Sequence, residues 1–247
     1  MHRAFTLVEA LVAIAIVAIL IGILVPSLAA VRMQALATQD LGNLRSLMQA
    51  HLAYMNVNNE RFVDVGLPHG TPADPSLSFV HRLRPFFGNA AVALRSPLDR
   101  SPHWQVDDGG EDVPVAQGAT PIWRYTSYGM NNYLSRTFSP LVALDGPNAA
   151  IDRLSQVGSP ESTVCFLLMA DSGPYASADH PHVEEWSSAP DPALHAASQC
   201  RINAVSGTRP STDSRSNYAF LDGRTATKVF DDVYRSGTIN QFDPLLH

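Results

Sequence analysis

The sequence predicts an α+β chain: a long N-terminal membrane-spanning helix continues into an amphipathic helix that packs on a small antiparallel β-sheet. Three observations predict it. Between Arg3 and Arg32 the only ionisable side chain is Glu9, and Ala10 to Val25 is apolar apart from Gly22. Leu41, Leu44, Met48, Leu52 and Met55 then recur at spacings of 3, 4, 4 and 3, which is one face of a helix. Towards the C-terminus, two strand-like runs, Asn217 to Leu221 and Arg224 to Phe230, flank Asp222-Gly223, the dipeptide of a tight hairpin turn.

Composition sets the outer limits. The 247 residues are 45% hydrophobic and 16% charged, a length suited to one domain with an appendage. This ordinary apolar content excludes a disordered, collagen-like or repeat chain. A net charge of −6 with no clustered Lys/Arg face argues against a nucleic-acid partner. Two cysteines are too few for a disulfide scaffold.

The apolar N-terminal segment is the most informative part of the chain. A helix over 5–31 would be about 40 Å long, enough for a hydrocarbon core of about 30 Å. A secretory signal peptide would use His2 and Arg3 as its basic region, with a cleavage site near Ser27-Leu28-Ala29. A plain signal anchor would stay uncut. Neither provides a partner for Glu9, and a carboxylate at mid-bilayer costs about 2.5–3.5 kcal/mol on insertion scales.

Arg3-Ala4-Phe5-Thr6-Leu7-Val8-Glu9, followed by the long apolar helix, resembles the leader of type IV prepilins, shared by type IV pilins and the pseudopilins of type II secretion. The resemblance implies cleavage between Ala4 and Phe5 by a prepilin peptidase, and methylation of the new amine of Phe5. Ala4 stands where the family usually has glycine. Glu9 occupies the position of the family's glutamate, which is thought to pair with the N-terminal amine of a neighbouring subunit and so set register. Pro26 sits where many pilins carry a proline that kinks or locally melts the helix.

On this reading residues 1–4 are the leader, 5–31 the transmembrane and assembly helix, 32–59 the amphipathic continuation and 60–247 a periplasmic globular domain. Gln39, Asp40, Asn43 and Arg45 are read as lying on the other, polar faces of the continuation. Asp74-Pro75 predicts a short helix from Pro75 to about Leu83. Arg124 to Leu134 reads as a strand broken near Gly129, and the apolar run Thr163 to Ala170 as the central strand. The stretch from Asp171 to Ser216 shows little periodicity and reads as a long surface excursion. Asp222-Gly223 predicts a two-residue type I′ turn.

Further segments, Ser127 to Asn131, Phe166 to Asp171 and Ser216 to Gly223, resemble a pseudopilin-like group whose C-terminal region carries a histidine and then Asp-Gly. Here Thr212 stands at that histidine's place and Arg224 follows the glycine, so no role of those histidines is carried over.

No motif of a hydrolase elbow, phosphate loop or zinc protease is present, and no catalytic residue is expected. Asp179-His180-Pro181-His182-Val183-Glu184-Glu185 has imidazoles and carboxylates suited to a divalent ion, and reads equally as a solvated loop. Asp107, Asp108, Glu111 and Asp112 form a hard-oxygen set that Ca2+ could order, with a solvated acidic turn as the plain alternative. Cys165 and Cys200 could pair in an oxidising periplasm, or Cys165 could be a small buried hydrophobe. Trp123, Tyr125, Tyr128 and Tyr133 read as core and cross-strand packing rather than a binding platform.

The resemblance implies a structural pseudopilin anchored in the inner membrane, with other pilin or pseudopilin subunits, the prepilin peptidase, an assembly machinery with an ATPase and membrane lipid as partners. Two alternatives stand beside it: a type IV pilus subunit, and a secreted or anchored binding protein or enzyme with an ordinary signal or anchor.

Overall fold

The computed structural model describes residues 7–69, 71–72, 74–87, 94–115, 121–206 and 209–246. Helix α1 runs unbroken from Leu7–Val57, 51 residues, or about 76 Å at about 1.5 Å per residue. It passes through Pro26, whose missing N–H cannot bond the carbonyl of Gly22. It ends where Asn59 and Glu60 take left-handed φ of 55° and 62°, and Asn58 Nδ2 donates to Tyr54 O at 2.8 Å.

The sheet has four antiparallel strands in the order β1-β2-β3-β4, with β1 Tyr128–Met130, β2 Val164–Leu168, β3 Arg215–Phe220 and β4 Thr225–Val229. A separate pair joins β5 Tyr234–Ser236 to β6 Ile239–Asn240. The remaining α-helices are short: α2 Phe79–Leu83, α3 Pro140–Asp145, α4 Pro192–Gln199 and α5 Phe230–Val233.

One face of the sheet receives the C-terminal half of α1. Leu44, Leu47, Met48 and Met55 pack there with Tyr128, Met130, Phe166 and Ala219. The buried stripe is broader than the spacing predicts: Ala37, Asp40, Leu47 and His51 lie inside it, while Leu41 and Leu52 sit half-buried at its edges.

The other face is covered too, which corrects the reading of Asp171 to Ser216 as a surface excursion. Tight 3₁₀ turns at Pro174–Ser177 and Val183–Ser188 and helix α4 form a second layer. It packs Ala178, Val183, Trp186, Ala193, Ala196 and Cys200 against Val164, Leu167, Met169, Tyr218 and Phe220 of the sheet. Its buried residues are largely small, so no apolar period betrays it. Strand β2 is therefore buried on both sides, which explains its continuous apolar run. A register irregularity between Val164 and Phe166 turns both Cys165 and Phe166 towards α1.

Three smaller expectations are corrected. Ser78 accepts from Val80 N and caps α2, so the segment from Pro75 divides into a 3₁₀ turn and α2. The strand expected over 124–134 shortens to β1, because the Asn131 side chain accepts from Tyr133 N and starts a 3₁₀ turn at Asn132–Leu134. The β3–β4 loop has three residues, Leu221 to Gly223: Ala219 pairs with Thr225, and Phe220 N donates to Arg224 O at 2.9 Å. Gly223 alone in this loop has positive φ, at 93°. That is a type I turn closed by a left-handed glycine rather than a type I′ turn.

Candidate functional site

The N-terminal half of α1 makes no core. From Leu7 to Val31 its large apolar side chains are exposed, Ile14 at 70% and Ile23 at 67%, for example. An 18-residue window there reaches a mean hydropathy of 3.0 with none of it buried inside the molecule. Burying one such side chain gains about 1.5–3 kcal/mol. A surface of this extent therefore calls for lipid or other helices around it. Glu9 lies in the first turn of this helix, with its side chain on the exposed surface.

A polar hub fixes how this helix leaves the globular part. Asp40, fully buried, accepts from Ser96 Oγ at 2.5 Å, Tyr128 Oη at 2.8 Å and Asn217 Nδ2 at 2.9 Å. Asn217 Nδ2 also donates to Ala37 O at 2.8 Å. One carboxylate thus ties α1 to β1, β3 and the loop at Ser96. Burial raises its pKa, against the lowering effect of the Ser96, Asn217 and Tyr128 hydrogen bonds. A second hub is the buried Arg124. It pairs with Asp99 at 2.8 Å and donates to the carbonyls of Ala170 at 2.6 Å and Ala176 at 2.8 Å, pinning the second layer to the loops at its edge.

A third group of polar residues lies between the segment that follows α1 and the second layer. His69, His180 and His182 bring one ring nitrogen each to within 4.8 Å of the others. Asp179, wholly buried, organises both sides: it accepts from Gly66 N at 3.1 Å and Leu67 N at 3.0 Å, and from His180 Nδ1 at 3.0 Å. Gly66 has to be glycine here, since a Cβ would meet Leu77 O at 2.5 Å. His182 Nδ1 meets Glu184 Oε1 at 2.8 Å. That hydrogen bond raises the pKa of His182, whereas burial and the two neighbouring imidazoles bring His69 down to about 4.

Residues 1–25 match the family model described as the prokaryotic N-terminal methylation motif. The N-terminal segment of the chain is type IV pilin-like. The chain carries the prepilin-type cleavage and methylation segment of the pilin and pseudopilin superfamily, which implies a prepilin peptidase and pilin partners. No curated protein and no solved structure matches it.

Of the residues singled out in the sequence of this pilin-like chain, Ala4 and Phe5 lie outside the described residues. Pro26 is inside α1. Asp107, Asp108, Glu111 and Asp112 are all exposed, on a turn whose carbonyls at Asp108 and Gly109 accept from Arg95. Cys165 and Cys200 are both free and buried, on opposite faces of the sheet. Tyr128 and Tyr133 are core residues on opposite faces as well, as expected, whereas Trp123 and Tyr125 are only half-buried and belong to neither core. Sequence reasoning missed Asp40, Arg124 and His69. The only signal for any of them was an acid in register with Leu44 on the helix.

Proposed function

We propose that this pilin-like chain is a structural subunit of a type II secretion-like pseudopilus. The observation that carries the reading is the division of α1: a helix bearing the methylation motif, exposed and apolar from Leu7 to Val31, continues without a break into the helix that holds the globular core. A subunit packed through such helices has its apolar surface covered by its neighbours and its globular part left on the outside.

In this scheme the prepilin peptidase cuts between Ala4 and Phe5, releasing residues 1–4, and methylates the amine of Phe5. Before assembly the helix holds the chain in the inner membrane, Arg3 to the cytoplasmic side and the globular part in the periplasm. A cytoplasmic ATPase drives extraction. In the filament the Glu9 carboxylate faces the N-terminal amine of a neighbouring subunit. Opposite charges attract strongly in a low-dielectric bundle, and either is costly alone, so the pair selects one axial register. Pro26 supplies a point at which the helix bends to fit the bundle. A type IV pilus would use the same helix; the pseudopilus is favoured by the resemblance of the segments that form β1, β2 and the β3 hairpin.

The test is intersubunit cysteine crosslinking along α1 in cells that carry the assembly machinery. A Glu9→Leu chain is expected to insert in the membrane as well as the native chain and to lose its crosslinks. Crosslinking at the native level would remove the register role.

A further inference from the structure

We propose that His69, His180 and His182 bind one divalent transition-metal ion, zinc foremost, which staples the segment after α1 to the layer over the far face of the sheet. The site lies in the globular part and stands whether or not the N-terminal helix assembles.

The orientation of the rings argues for it. His180 Nδ1 faces Asp179 at 3.0 Å and His182 Nδ1 faces Glu184 at 2.8 Å. A carboxylate only accepts, so Nδ1 carries the proton in both rings and Nε2 keeps its lone pair. Metal-ligating histidines are characteristically held in this way, the outer carboxylate fixing the tautomer and strengthening the donor nitrogen. The Nε2 atoms of His69 and His180 are buried and have no hydrogen-bond partner among the described residues. Leaving buried nitrogens unsatisfied is costly. The rings of Tyr175 and Phe138, with centroids 4.2 and 4.3 Å from those of His69 and His180, wall the cluster but present ring faces. Packing alone therefore gives no reason for two unsatisfied imidazole nitrogens within one cluster.

The donor set selects the ion. Neutral imidazoles suit zinc and its first-row neighbours, whereas calcium and magnesium take oxygen. Imidazole binds zinc at about 2.0–2.1 Å, which places tetrahedral ligand atoms about 3.3 Å apart. From separations within 4.8 Å, the rings need close by no more than about 1.5 Å to reach that spacing. The nearby carboxylates are committed elsewhere: Asp179 to the backbone N–H groups of Gly66, Leu67 and Phe79, and Glu184 Oε2 to Asn132 Nδ2 at 2.7 Å. The fourth position falls to water, at the edge where the His182 side chain is 22% exposed.

The full-length chain, purified in detergent without a histidine tag and stripped with EDTA, is titrated with zinc sulfate by calorimetry and with cobalt(II) by visible absorption. One ion per chain is expected, with the intense visible band of tetrahedral cobalt and a higher Tm on zinc addition. His69→Gln and His182→Gln, at partly exposed positions, should each weaken zinc binding at least tenfold and abolish the cobalt band while keeping the native circular dichroism. A native chain that takes up no zinc at micromolar concentration overturns the site, as do folded variants that bind zinc as tightly as the native chain. Should both variants fail to fold, the cobalt spectrum of the native chain decides alone, since a spectrum of six-coordinate aquated cobalt excludes three converging imidazoles.

Discussion

Two buried ionisable residues on α1, Asp40 and His51, couple the helix to the sheet. Replacing Asp40 by Ala would leave the donors of Ser96, Tyr128 and Asn217 unpaired in the core, and is expected to cost about 2–4 kcal/mol in a denaturant titration. His51 is fully buried, its Nε2 accepting from Val63 N at 3.1 Å and its Nδ1 3.4 Å from Cys165 Sγ, and burial lowers its pKa to about 3. Between pH 6.5 and about 3 the unfolded chain thus takes a proton at this residue that the fold refuses. Stability falls as pH falls through that window, by about 1.4 kcal/mol per pH unit from this residue. A His51→Gln chain should show a shallower loss by that amount, and an unchanged slope would refute the assignment. At this scale the sequence was unevenly legible. Glu9 stands out because an acid in an apolar run is conspicuous, whereas Asp40 sits among Gln39 and Asn43 and reads as one more solvated polar residue. His69 gives no sign at all, since only the fold brings it to His180.

At the scale of elements, β2 and the layer above it explain one another. A strand with one solvated face alternates, and Val164–Leu168 does not; its unbroken apolar run already required a cover on both sides. The cover is the segment read from sequence as a surface excursion, in which Trp186 is the largest anchor. Its ring is fully buried against Phe230, Tyr234 and Phe242, and its Nε1 donates to Gln199 Oε1 at 2.9 Å. Trp186→Ala is expected to cost about 3–5 kcal/mol, measured as a shift in unfolding midpoint. The central strand and the hairpin were legible because β-branched, aromatic and Asp-Gly signals are local. The second layer was not, because alanine and serine pack closely without marking a face, and its helix α4 shows mainly in the Asp191-Pro192 cap. The hairpin's loop length escaped for a similar reason: Asp-Gly suits both a type I′ turn and a type I turn closed by glycine, and pairing of Phe220 with Arg224 decides between them.

Across the whole molecule, one helix serves two environments. Its C-terminal half is part of the core and its N-terminal half is exposed, so the same rod carries both the apolar stretch of the methylation motif from Leu7 onward and the platform for the sheet. The split near Met33 was legible in the sequence as the return of charge at Arg32, and the α+β class followed from the period that continues beyond it. The proposed function requires that the N-terminus be handled as a prepilin. Mass spectrometry of the mature chain from isolated membranes tests it most directly. The expected chain begins at Phe5 with a methylated amine, which would also show that Ala4 is accepted at the cut. A chain that begins near Ala30, or one that retains Met1 in cells with an active prepilin peptidase, would contradict it.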